Sequence, residues 1–90
     1  MPARALNFPN RSRSYDQTRH RIRFWGYDSA LEISFFLDVT TLYKLLPTTP
    51  DNESGYLDAF DAGREKIYEV AKKVYGRGHH SSYILAASDF

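Results

Sequence analysis

Between Arg19 and Leu37 the chain alternates apolar and polar residues with a period of two. Ile22 and Phe24 fall on one side of this stretch, Arg21 and Arg23 on the other. After the turn-forming cluster Gly26, Tyr27, Asp28 and Ser29, the residues Leu31, Ile33 and Phe35 alternate with Glu32 and Ser34. This pattern predicts a β-hairpin with one buried face and one polar face. Beyond Leu37 the period lengthens. Val39, Leu42, Leu45 and Leu46 take helical spacing behind Asp38, a residue type suited to the N-cap, and Pro47 ends the segment. A surface connection follows. Leu57, Phe60, Ile67, Ala71, Val74 and Tyr75 then recur three and four apart and predict one long helix over residues 56–76. Asp58 and Asp61 near its start and Lys72 and Lys73 near its end suit the helix dipole, and Gly76 and Gly78 stop it. The last ten residues read as a strand, with Tyr83, Leu85 and Ala87 opposed to Ile84 and Ala86.

The order β-β-α-α-β predicts an α+β fold. The simplest assembly is an antiparallel sheet of three or four strands, with one short and one long helix packed on its apolar face. Residues 1–18 are expected to form a basic N-terminal segment, partly extended or flexible. Pro2, Pro9, Asn10, Ser12 and Ser14 favour turns there, and Leu6 and Phe8 alternate as a short edge strand would. Residues 19–90 are expected to form a single domain, as 90 residues suit one modest core. Aromatic residues make up 16% of the chain, so a few large side chains should fill that core.

Composition removes several kinds of chemistry. The chain has no cysteine, which rules out disulfides, zinc–thiolate sites and thiol catalysis. No apolar run approaches the roughly 18 residues a membrane span needs, and no signal peptide is recognisable. The Arg- and Ser-rich start has the flavour of a transit peptide, but Pro2 and Pro9 break any helix there. A cytoplasmic protein without membrane contact is expected. The net charge of +1 hides an uneven distribution: residues 1–27 carry +5, residues 28–65 carry −6 and residues 66–90 carry +2. Near-zero net charge argues against a dedicated nucleic-acid binder, and basic strand and acidic helix start are expected to neutralise one another.

Candidate chemistry is sparse. Arg64 falls between Phe60 and Ile67 inside the apolar stripe, where a guanidinium needs partners. Asp16, Asp61 and Asp89 are the candidates, and a structural ion pair is the plain interpretation; the functional one is a cleft arginine for an anionic ligand. His79 and His80 point to opposite sides of an extended chain, and with His20 they lack a supporting carboxylate cluster, so no metal is expected. Ser81 and Ser82 lie beside them without a nucleophile elbow or a placed acid, and no glycine run can cradle a phosphate. No cofactor is expected. The remaining candidate is the polar hairpin face. Trp25 shares its parity with Arg21 and Arg23 and could stack a base, whereas Phe24 turns inward and Tyr27 lies in the turn. The plain alternative for Trp25 is packing under Arg23, and for the arginines pairing with Glu32 across the hairpin.

Several stretches taken together resemble a known family: Phe8-Pro-Asn-Arg11, Tyr15-Asp16, the Arg23-Phe-Trp-Gly26 strand, the run from Ala59 to Tyr75, and the terminal Tyr83 to Phe90. In their order and spacing the chain resembles the bacterial domain-of-unknown-function family 1488, over nearly its whole length from Phe8 to Phe90. The resemblance implies a small bacterial α+β domain and brings no activity and no catalytic residues with it. The expectation is therefore a non-enzymatic interaction or regulatory module that presents Arg21, Arg23, Trp25 and Tyr27 to an acidic protein or to a second copy of itself as a homodimer. The alternative is weak, mostly electrostatic nucleic-acid binding by the same face. A third reading is an anionic-ligand cleft around Arg64.

Overall fold

The computed structural model describes residues 6–9, 11, 13–76 and 80–90. Pro2, Asn10, Ser12, Gly78 and His79, named above for their places in the sequence, lie outside the described residues. Two long strands form the centre, β3 (Arg21–Asp28) and β4 (Leu31–Asp38), antiparallel as the period-two pattern predicts, with Phe24 opposite Phe35 and Arg21 opposite Asp38. The turn between them is tighter than expected. Pairing continues through Asp28 opposite Leu31, so only Ser29 and Ala30 turn, and Ser29 takes the positive φ of 56° that so short a hairpin requires. Tyr27 is therefore a strand residue and not a turn residue.

The first two strands, β1 (Leu6–Asn7) and β2 (Arg13–Asp16), both pair antiparallel with the same edge of β3. They behave as one edge strand with a bulge after Asn7: Asn7 lies opposite Tyr27 and Arg13 opposite Phe24, so the pairing is interrupted between them. The bulge turns Phe8 inward. Its ring stacks on Tyr68 at 3.9 Å and lies 5.9 Å from both Phe24 and Phe35.

Three helices follow, one more than the sequence pattern predicts: α1 (Val39–Leu45), α2 (Glu53–Ala62) and α3 (Arg64–Tyr75). The long helix is interrupted at Gly63, whose φ of −98° and ψ of 12° leave the helical region. Glycine has the weakest helix preference after proline, and the apolar stripe that runs across the break does not reveal it. Two local inferences change as a result. Asn52 caps α2, its side chain accepting from the Gly55 amide at 2.7 Å, and Asp61 falls in the last turn of α2, where the dipole does not favour it. Asp38 does stand at the N-cap of α1, but its side chain makes no capping bond.

The chain returns through β5 (Ser82–Leu85), which pairs with β4 in parallel, Phe36 opposite Ile84. The sheet is thus mixed, five strands with β1 and β2 on one side of β3, then β4 and β5, and not antiparallel throughout. The expected order β-β-α-α-β is matched in part: it runs from β3 to β5 with its second helix split in two, and β1 and β2 precede it. The crossover of three helices is long enough to bring the chain back to the end of the sheet from which β4 started, and this parallel pairing requires. After Leu85 the chain makes a 3-10 turn at Ala87–Asp89 instead of continuing the strand.

The core lies between the sheet and the helices. Ile22, Phe24, Ile33, Phe35, Leu37 and Leu85 from the sheet meet Leu42, Phe60, Ile67 and Ala71 from the helices, all fully buried. None of Trp25, Tyr27, Phe36 or Ile84 joins that core. They lie on the opposite face of the sheet.

Candidate functional site

Strand parity places Arg21, Arg23, Trp25 and Tyr27 side by side on the face turned away from the helices, opposite Asp38, Phe36, Ser34 and Glu32 of β4. Ser14 and Asp16 of β2 flank them on one side, Ser82 and Ile84 of β5 on the other. Parity in the sequence identifies the β3 residues. It does not reveal Phe36 and Ile84, because it assigns β5 no neighbour. Ile84 is 60% exposed, unusual for so large an apolar side chain, and Phe36 lies directly opposite it.

Arg23 of this face is matched, whereas the Arg21 Nε is buried with no hydrogen-bond partner among the described residues. Arg23 donates to Glu32 Oε2 at 2.9 Å and to the Ser34 hydroxyl at 2.9 Å, with its guanidinium over the Trp25 ring at 4.4 Å. Arg21 lies 3.9 Å above the Phe36 ring, and its Nε is 3.8 Å from Asp16. Arg19 donates to the same Asp16 at 3.3 Å. Burial pushes the Asp16 carboxyl up, but the hydrogen bonds from the Arg19 backbone and guanidinium outweigh it, and the group stays below the usual carboxylate range. The hydroxyl of Tyr27 lies 3.5 Å from Glu32.

Arg64 sits elsewhere, only 5% exposed at the start of α3. It donates to Asp61, to the Tyr68 hydroxyl and, at 3.2 Å, to the Arg11 carbonyl, and it lies 4.9 Å from the Phe60 ring. Arg13 grips the same Asp61 with two hydrogen bonds of 3.1 and 3.0 Å. Burial raises the Asp61 carboxyl, but Arg13 and Arg64 together hold it below the ordinary range. The Arg64 Nε has no hydrogen-bond partner among the described residues. Asp61 thus ties β2 to the junction of α2 and α3.

A second constellation went unnoticed in the sequence. At the end of the sheet, the turn before β3, the start of α1 and the loop before α2 enclose an open cleft of about 450 Å³. His20, Tyr43, Tyr56, Asp38 and Asp51 line it. Tyr56 donates to Asp51, which raises its phenol well above the usual value, with burial and the Tyr43 hydroxyl adding to the effect. His20 holds a positive φ of 52° while its carbonyl accepts from the Val39 amide at 3.1 Å. Its only trace in the sequence is the abundance of tyrosine, seven in 90 residues. Among the described residues no group of three or more His, Asp or Glu side chains could hold a metal ion, and no helix is long and apolar enough to cross a membrane.

A family model described as "Protein of unknown function (DUF1488)" matches residues 6–85. The chain belongs to the DUF1488 family. A crystal structure of a DUF1488 protein of unknown function from Shewanella loihica PV-4 superposes with a TM-score of 0.80, covering 94% of each chain at 18% identity. At that identity the likeness to the other DUF1488 protein is one of fold. Among curated proteins none matches this chain.

Proposed function

We propose that this DUF1488 chain is a non-enzymatic interaction module whose open sheet face pairs with the same face of a second copy. The observation that carries the reading is Ile84, 60% exposed opposite Phe36 on a face that also bears Trp25 and Tyr27 and contributes nothing to the core. Apolar side chains gathered on an uncovered face favour burial against a partner. Charge supports a second copy over an acidic protein or a nucleic acid. Arg21 and Arg23 share the face with Asp16, Glu32 and Asp38, so it carries charge of both signs, which suits a face that meets its own copy across a two-fold axis. An arginine already held by a carboxylate offers little to an incoming phosphate. The face is small. Two strands of eight residues at about 3.4 Å each, flanked by two of four residues and all about 4.8 Å apart, span roughly 27 by 14 Å between the outer strand axes. That is below the roughly 800 Å² per partner of a standard interface, so association in the micromolar range is expected.

Sedimentation equilibrium across a concentration series tests this, with wild type, Trp25→Ala and Ile84→Ser in parallel and a thermal melt of each. A monomer–dimer equilibrium that both variants abolish, with melting unchanged, supports the reading. A monomer up to about millimolar concentration, or association that both variants leave intact, overturns it. Retention of a single-stranded oligonucleotide with a steep salt dependence replaces it with the electrostatic alternative.

A further inference from the structure

We propose that the cleft at the sheet end is a binding site for a small organic cation of the quaternary ammonium type. The proposal goes beyond the pairing of sheet faces and does not depend on it. Its first support is the arrangement of rings. Tyr43 and Tyr56 stand at right angles, 87° between planes with centroids 6.2 Å apart, and both line the cleft. The His20 ring lies 6.3 Å from Tyr56 at 63°, and Tyr15 backs Tyr56 at 5.2 Å. Aromatic walls at steep angles around a shared space let one cation meet several ring faces at once, and quaternary ammonium groups are the ligands such cages take.

The second support is charge. Asp38 and Asp51 both line the cleft. Asp51 is engaged by the Tyr56 hydroxyl. Asp38 is half-buried and has no hydrogen bond or ion pair among the described residues: its side chain does not cap α1, and the guanidinium of Arg21 opposite it lies over Phe36. A half-buried carboxylate without a partner favours the approach of a cation. Arg19 also lines the cleft and would oppose a cation, but its guanidinium is turned to Asp16 at 3.3 Å. A quaternary ammonium carries no N–H donors, so it needs ring faces and diffuse negative charge instead of directed hydrogen-bond acceptors. The cleft offers both.

The backbone fits this picture. His20 is held at φ 52°, a conformation that disfavours a β-branched or bulky side chain, and it brings the imidazole over Tyr56. In sequence the rings come from three separate segments, around His20, Tyr43 and Tyr56, that meet only in the fold.

The experiment is an amide NMR titration of the full chain with choline, with its neutral isostere 3,3-dimethylbutan-1-ol, and with inorganic phosphate. The expected result is saturable shifts at His20, Thr40, Tyr43 and Asp51 with choline, and affinity about tenfold lower for the neutral isostere. Asp38→Asn, which removes charge and no hydrogen bond, should weaken choline binding several-fold and leave the remaining spectrum in place. Tyr43→Leu, which keeps an apolar side chain against the core, should weaken it further. Equal affinity for choline and the isostere makes the cleft an apolar pocket and overturns the proposal. Binding of phosphate in place of choline makes it an Arg19-centred anion site and overturns it too. The absence of saturable choline shifts up to about 50 mM likewise overturns it.

Discussion

The ring of Phe8 fills the space that a side chain at Gly26 would need. A Cβ built at Gly26 would lie 2.6 Å from the Asn7 carbonyl and 2.8 Å from the Phe8 ring. Gly26 sits on the buried face of β3, in line with Ile22 and Phe24, where an apolar side chain is expected. The glycine lets the bulge between β1 and β2 turn Phe8 into the core, where it stacks on Tyr68. Gly26→Ala is therefore expected to destabilise the fold by about 1–3 kcal/mol through overpacking. Phe8→Ala should lower stability by about 3 kcal/mol by leaving a cavity over Gly26. Urea unfolding of the two variants checks both figures.

Gly63 should behave in the opposite way. A Cβ there would find the Ala59 carbonyl at 3.6 Å and Ile67 Cδ1 at 3.7 Å, ordinary contact distances, and the backbone φ of −98° accepts any residue. Gly63→Ala is expected to leave stability unchanged or raise it by about 0.5 kcal/mol, because alanine has less freedom to lose on folding. A thermal melt of this variant beside Gly26→Ala separates a glycine required by space from one that marks a break.

The pair of Asp61 with Arg64 and Arg13 gives a prediction of sign. Asp61→Asn leaves the guanidinium of Arg64 buried without its counter-charge. It should destabilise more than the double variant Asp61→Asn with Arg64→Met, in which no orphan charge remains. Arg64→Lys should also destabilise, since an ammonium cannot reach Asp61, Tyr68 and the Arg11 carbonyl together. A denaturation cycle over these variants measures the coupling.

The same carboxylate sets the acid limit. The folded Asp61 and Asp16 both lie below the unfolded carboxylate value. Such groups add stability that is fully present above the unfolded pKa of about 3.9 and is lost as pH falls through the folded pKa. The urea midpoint should stay flat from neutrality to about pH 5 and fall below about pH 4. In Asp61→Asn the acid decline should be shallower.

Glu32 provides a contrast. Its pair with Arg23 is geometrically good at 2.9 Å, but both side chains are a third to a half exposed. Glu32→Ala should change stability by less than about 0.5 kcal/mol. It should also raise the affinity of the face for anions, by releasing Arg23. A melt together with a salt-dependent oligonucleotide titration checks both parts.

The local periodicity of the sequence determined which face of each strand is buried and where the short first helix lies. Alternation of Ile22 and Phe24 with Arg21 and Arg23 is a property of neighbouring residues, and burial of one face enforces it. The same parity put Trp25 and Glu32 on the face of the arginines, and the Arg23 side chain reaches diagonally along that face to Glu32. The polar sheet face was legible for that reason. Periodicity carries no information about strand direction or neighbours. Whether β5 runs parallel to β4 depends on where three helices deliver the chain, and the break at Gly63 is invisible to a stripe that continues across it. Asp61 has the position of a helix-start residue in the sequence; its partner Arg13 lies 48 residues away, the Arg11 carbonyl lies 53 residues from Arg64, and only tertiary packing brings them together. The cleft has the same origin. His20, Tyr43 and Tyr56 have nothing in common in sequence, and they share a wall because the sheet end, α1 and α2 are packed against one core.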